Sequence, residues 1–147
     1  MKYLLIGVFS LFFSTVLFAQ DNNSSKDIGD HTVHYSVFNS SFLPQEAAAG
    51  YGFVRAGDRA IINIAVTKKD AGGLSKGLPI ELTASLSNLL QQTTELDFIE
   101  IDEGDATYYL AQFDFADQEI LNFTVHVLLP GERYSDTVTF SKTLYHD

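Results

Sequence analysis

The chain has no cysteine, no tryptophan, and only three arginines, Arg55, Arg59 and Arg133. Without thiols, no disulfide braces the fold and no thiolate can hold a metal. Lipid attachment of the lipoprotein kind, which needs a cysteine, is excluded as well. Positive charge is scarce: nine Lys and Arg stand against nineteen Asp and Glu, for a formal charge of −10. Such an acidic surface repels phosphate backbones and anionic lipid heads, which argues against nucleic acid as a partner.

Reactive constellations are missing too. His31, His34, His126 and His146 are the only imidazoles. Three positions apart on a strand, His31 and His34 point to opposite faces, and no His-x-His pair exists, so no transition-metal site is expected. His146, one residue from the last, is expected to be mobile. The segment Glu100 to Asp105 gathers four carboxylates around Gly104, but not in the D-x-D-x-D-G spacing of a calcium loop. It reads as an exposed acidic turn. Acid pairs abound in so acidic a chain, so none of them singles out a hydrolytic dyad. No G-x-S-x-G elbow occurs, and neither Ser87 nor Ser135 has a context that would activate it. The chain therefore reads as no enzyme, with no cofactor and no metal.

What is present begins with an export signal. Lys2 precedes an apolar run from Tyr3 to Phe18, and Ala19 is followed by the polar Gln20-Asp21. The run is short of the roughly 20 residues of a membrane span and suits the central region of a cleavable signal peptide over 1–19. Leu17 is larger than the residue preferred three positions before a cut, which keeps a retained anchor as the alternative. Cleavage leaves 128 residues and, with Lys2 gone, a charge of −11. The expectation is a periplasmic protein with no span after cleavage. Residues 20–29 are small and polar and read as a flexible leader.

The remainder, 30–147, reads as one all-β domain. Its centre is Arg59 to Thr67, RAIINIAVT, which is apolar on both faces. Continuous β-branched runs of this kind suit a strand buried on both sides. Only Asn63 interrupts it, and a buried amide must find hydrogen-bond partners. Before it, His31 to Phe38 alternates with Val33, Tyr35 and Val37 on one face. Pro44 to Gly50 predicts one short helix, with Pro44 at its first position and Gly50 closing it. After the central strand, Lys68 to Pro79 reads as a long loop, followed by a strand from Ile80 to Leu90. Leu96, Phe98 and Ile101 mark a further strand, and Thr107 to Phe115 pairs with it across the acidic turn. Leu121 to Leu129 alternates cleanly, Pro130-Gly131 signals a turn, and Ser135 to Leu144 closes the domain. About seven strands and one short helix after the first of them predict an immunoglobulin-like antiparallel β-sandwich, without that fold's usual Cys pair or Trp. A small closed barrel is the alternative architecture.

One cluster stands out for recognition. Asn39, Tyr51, Arg55 and Arg59 lie in and around the linker before the central strand, and two of the three arginines fall there. Guanidinium groups beside an aromatic can hold a carboxylate or backbone carbonyls through paired N–H donors. The structural alternative is that Asn39 caps the short helix and an arginine ties down the loop ends. The leading functional expectation is a non-enzymatic interaction module for an envelope protein or component. The alternative is a binder of small apolar ligands, with a pocket between the two sheets.

The segment His31 to Val66 also resembles a family of exported proteins of Gram-negative bacteria, domain of unknown function 4426. The residues that carry the resemblance are Tyr35, Phe38 and Asn39; Phe42, Leu43 and Pro44; Ala47 or Ala48; Tyr51 and Gly52; Arg55; and Ile62, Asn63 and Ile64. The chain departs from the pattern in running from Leu43 straight into Pro44. The resemblance implies a periplasmic β-sandwich and no assigned activity.

Overall fold

The computed structural model describes residues 24–69 and 75–147, so the expected signal segment, the first leader residues and 70–74 lie outside the described residues. Among the described residues there are ten strands: β1 (Ser25–Ile28), β2 (His31–Asn39), β3 (Arg59–Lys69), β4 (Ser75–Gly77), β5 (Glu81–Ser87), β6 (Thr93–Glu95), β7 (Ile99–Asp102), β8 (Thr107–Asp114), β9 (Glu119–Leu128) and β10 (Asp136–Leu144). A 3-10 turn, Ser40–Phe42, and a single helix, α1 (Gln45–Tyr51), occupy the excursion between β2 and β3.

All pairings are antiparallel. They build a large sheet in the order β1-β2-β3-β8-β7, with β4 beside β3, and a small sheet in the order β10-β9-β5-β6. The two layers face each other as the expected immunoglobulin-like sandwich. From β3, Ile62, Ile64 and Val66 enter the core fully buried; from β9, Leu121, Phe123, Val125 and Val127 meet them. An aromatic ladder fills the middle. Tyr35 of the large sheet stacks on Phe140 of the small one at 4.2 Å, Phe140 on Phe123 at 4.8 Å, and Phe123 meets Phe113 of the large sheet edge-on at 5.6 Å. Offset and edge-on aromatic pairs add to the gain from burial.

The outer face of β3 is buried only in part, not along its whole length as the apolar run suggested. Ile61 is fully buried there, whereas Asn63 and Ala65 are half-buried. The reason lies in the excursion between β2 and β3, which folds back over the Ile61 end alone. Ser40 Oγ donates to Ala56 O at 3.2 Å and accepts from Ala56 N at 3.0 Å. Across the sheet, the Gln112 side chain pairs with both backbone groups of Val54, donating to its O at 2.6 Å and accepting from its N at 3.2 Å.

Several boundaries differ from expectation, each for a physical reason. Ser25–Ile28, expected within the flexible leader, pairs with β2 as β1. The loop expected over Lys68 to Pro79 holds the end of β3 and all of β4. The strand expected through Leu96, Phe98 and Ile101 is two, β6 in the small sheet and β7 in the large one, and the chain crosses between layers in the three residues Leu96 to Phe98. Segments such as SKDI, SKG and TTE are too short and polar to show a period of two. In α1, Gly50 stays helical, and Gly52 is the residue that takes the left-handed conformation, at φ 76°. It lets Phe53 N reach Ala48 O at 2.8 Å, a closure that favours glycine.

Candidate functional site

The four linker residues singled out in the sequence do not converge on one site. Asn39, buried at the end of β2, makes no helix-capping bond; its Nδ2 donates to Tyr145 O at 2.8 Å and to Asp147 Oδ1 at 2.7 Å. Arg55, exposed, donates from a terminal guanidinium nitrogen to Ser41 O at 3.0 Å and so ties the two ends of the excursion. Arg59 stands opposite Asp114 in the β3–β8 register, and its Nε lies 3.1 Å from Asp114 Oδ1. It also borders an open cleft of about 410 Å3 shared with Glu95. Tyr51, the last residue of α1, packs edge-on to Phe53 at 6.3 Å. The structure thus joins Asn39 and Arg55 through the Ser40–Ser41 turn and leaves Tyr51 and Arg59 elsewhere.

The bonds of Asn39 belong to a clasp on residues 145–147. Ser41 Oγ donates to Asp147 Oδ2, and Asp147 N donates to Gly57 O at 3.2 Å. His146, expected to be mobile, is held: its N donates to Asp117 Oδ1 at 2.8 Å, Nε2 lies 3.0 Å from Phe115 O, and its ring meets Phe115 edge-on at 5.3 Å. The other histidines each pair with a neighbour among the described residues. His31 pairs with Asp30, His34 with Thr67 and His126 with Thr137. Among the described residues, no three His, Asp or Glu side chains gather to hold a metal ion. In the acidic turn, Asp102 Oδ1 accepts from Gly104 N at 2.9 Å, a turn-forming bond.

A second candidate lies on the uncovered half of the large sheet's outer face. There β2, β3 and the start of β8 floor an open groove of about 380 Å3, with His34, Ser36, Asn63, Ala65, Thr67 and Tyr108 on its surface. Gly77 and Asp105 wall one side, drawn together by Gly77 N donating to Asp105 O at 3.1 Å. Ser24 stands on the other side, its carbonyl accepting from Tyr35 N at 2.9 Å. The groove exists because strand alternation sends the polar half of β2 outward while the β2–β3 excursion covers only the far end. In its floor, Ser36 stands directly opposite Asn63 in the β2–β3 register. Asn63 Oδ1 is buried and accepts no hydrogen bond. Nearly all buried polar atoms in folded proteins find a protein or water partner, so this oxygen, closed off from solvent, sits at a cost to stability. The sequence pointed to this residue as the one polar break in an apolar run. It could not show the groove, which needs three strands from distant parts of the chain.

A protein-family model described as "Domain of unknown function (DUF4426)" matches residues 25–147. Among solved structures, the chain is similar to a DUF4426 family protein from Pseudomonas aeruginosa PAO1, with 35% identity, 84% of this chain and 94% of that one covered, and a TM-score of 0.73. It also shares its fold with FetP from uropathogenic Escherichia coli strain F11, recombinantly expressed in the periplasm, at 12% identity, 83% and 93% coverage and a TM-score of 0.58. A copper-bound variant of FetP aligns with 13% identity, 83% and 94% coverage and a TM-score of 0.61. No functionally curated protein matches the sequence. The described residues include no helix long and apolar enough to cross a membrane. With the family model spanning the whole sandwich and a relative of this identity aligned along most of both chains, the protein belongs to the domain of unknown function 4426 family.

Proposed function

We propose that the protein is a non-enzymatic binding domain of the periplasm that recognises a protein or component of the cell envelope. The observation that carries this reading is the polar groove on the large sheet, an open concavity with His34, Ser36, Thr67 and Tyr108 on its surface. The space between the sheets supports the rival apolar-ligand reading poorly, because the Tyr35–Phe140–Phe123–Phe113 ladder fills it. Catalysis finds little support either. Tyr109, whose pKa burial raises, spends its hydroxyl on the backbone of Ile80 and is packed in the core. An exported location is supported by the apolar leader and by the periplasmic expression of FetP, which shares the fold. The copper of the FetP variant is not carried over, since no three His, Asp or Glu side chains gather among the described residues.

Affinity capture from a periplasmic extract tests the reading, with the wild-type protein run beside Ala65→Trp, which fills the groove. A partner retained by the wild type and lost with the tryptophan supports it. Retention of nothing by the wild type, at both low and high salt, retires it.

A further inference from the structure

We infer that the outer edge of β10 is a pairing site for β10 of a second copy of this chain, held shut by Lys26 of β1. Among the described strands, the small sheet runs β10-β9-β5-β6, so β10, at nine residues, is its long outer strand. A strand residue turns its N–H and C=O to one side, and its neighbours turn theirs to the other. Thr137 O faces away from β9, where Lys26 Nζ donates to it at 3.0 Å. Thr139 and Ser141 share that alternation, so their backbone groups face outward too. Long edges of this kind recruit other strands unless something guards them, and lysine is a frequent guard. Lys26 reaches over from the facing sheet, on a strand of four residues that is mostly exposed. Its ammonium caps a neutral carbonyl in a chain with nineteen Asp and Glu. A second lysine works the same open side from the other layer. Lys142 Nζ, on β10, donates to Val37 O at 2.7 Å, beyond the stretch of β2 that β1 covers.

Register and charge select a second copy as the occupant. Antiparallel pairing of β10 with itself about Thr139 sets Thr139 against its own counterpart and Thr137 against the second copy's Ser141. These three side chains are exposed, and cross-strand Thr–Thr and Thr–Ser pairs are favourable. The same register sets Asp136 against the second copy's Lys142, opposite charges on the side of the strand that carries the buried Val138. Moving the axis to Val138 or Phe140 loses that ion pair, so charge selects Thr139. Lys142 can serve both roles, because an ammonium has three donors and Val37 O takes one. Pairing about a two-fold axis closes on itself and stops at a dimer. It requires Thr137 O to accept from the second copy's Ser141 N, and that is the oxygen Lys26 holds. Cap and second copy exclude each other.

The test is sedimentation velocity over a series of concentrations, with backbone hydrogen exchange alongside, on the protein purified from the periplasmic fraction. Lys26→Met keeps the stem and removes the cap. It is expected to tighten dimerisation at least about tenfold over the wild type, the scale of one hydrogen bond to a charged group. Lys68→Met, which takes the same charge from the Asp30 ion pair, is expected to sediment as the wild type does. The Thr139 and Ser141 amides should exchange freely in the monomer and gain protection in the dimer. Adding Asp136→Lys to Lys26→Met should undo the dimer, and adding Lys142→Asp as well, which restores opposite charges, should bring it back. Overturning results are a Lys26→Met protein no more associated than the wild type, a dimer with Thr139 and Ser141 unprotected, or a charge exchange that restores nothing. A lowered thermal midpoint without association would make Lys26 a clamp between the sheets and no more, and the inference would fall. None of these outcomes touches the groove, which Ala65→Trp reports on the other sheet.

Discussion

The Tyr109 hydroxyl accepts from Ile80 N at 2.8 Å and lies 3.0 Å from Ile80 O and 3.3 Å from Glu100 Oε1. Burial pushes its pKa above the ordinary phenol value; the Ile80 backbone bond opposes this, and Glu100 and Asp102 add to it. The unfolded chain therefore releases this proton first. The tyrosine's contribution to stability is complete below about pH 10 and is lost as pH rises beyond it. Tyr109→Phe should flatten that alkaline decline in urea midpoints while lowering stability near neutrality by about 1–2 kcal/mol, from the lost bonds. Asn39 argues in a different direction. Asn39→Ala should cost about 1–2 kcal/mol and free residues 145–147, seen as sharpened resonances for His146. The sequence singled out Asn39 for recognition or for capping the helix, whereas its observed partners lie 106 and 108 positions away. No local pattern announces a bond of that span.

At the scale of elements, legibility follows length. In β9, Leu121, Phe123, Val125 and Val127 alternate with Asn122, Thr124 and His126, and the observed burial repeats that alternation residue by residue. The strand could be read because ten residues give the period room to show itself. β4 has three residues, and its place is decided instead by contact: a Cβ on Gly77 would stand 2.6 Å from Ala106 Cα and 2.7 Å from Thr107 N. Both are backbone atoms, which cannot swing aside as a side chain can. Gly77→Ala should therefore destabilise the domain by about 1–3 kcal/mol, measured by thermal unfolding. The same change should displace Asp105 from the groove wall.

For the molecule as a whole, the aromatic ladder carries the stability that a disulfide supplies in many exported domains. Phe123 touches two other members of the ladder and is almost wholly buried. Phe123→Ala should remove about 3–5 kcal/mol, enough to leave a domain of this size barely folded. Calorimetry would show this as a lowered and broadened transition. The fold class was legible at this scale because an apolar run such as RAIINIAVT admits few solutions in a chain without thiols. The outward groove was not, because identical alternation describes a covered face and an open one.

The chain's passage from β6 to β7 has a mechanical meaning. Leu96 is buried, and its N donates to Ala84 O at 2.9 Å, so the crossing strand is fastened to the small sheet just before it enters the large one. Neither layer can peel away without dragging the other through that fastening. The slowest-exchanging amides of β3 and β9 should therefore share one opening free energy in native-state hydrogen exchange, the two layers coming apart together or not at all.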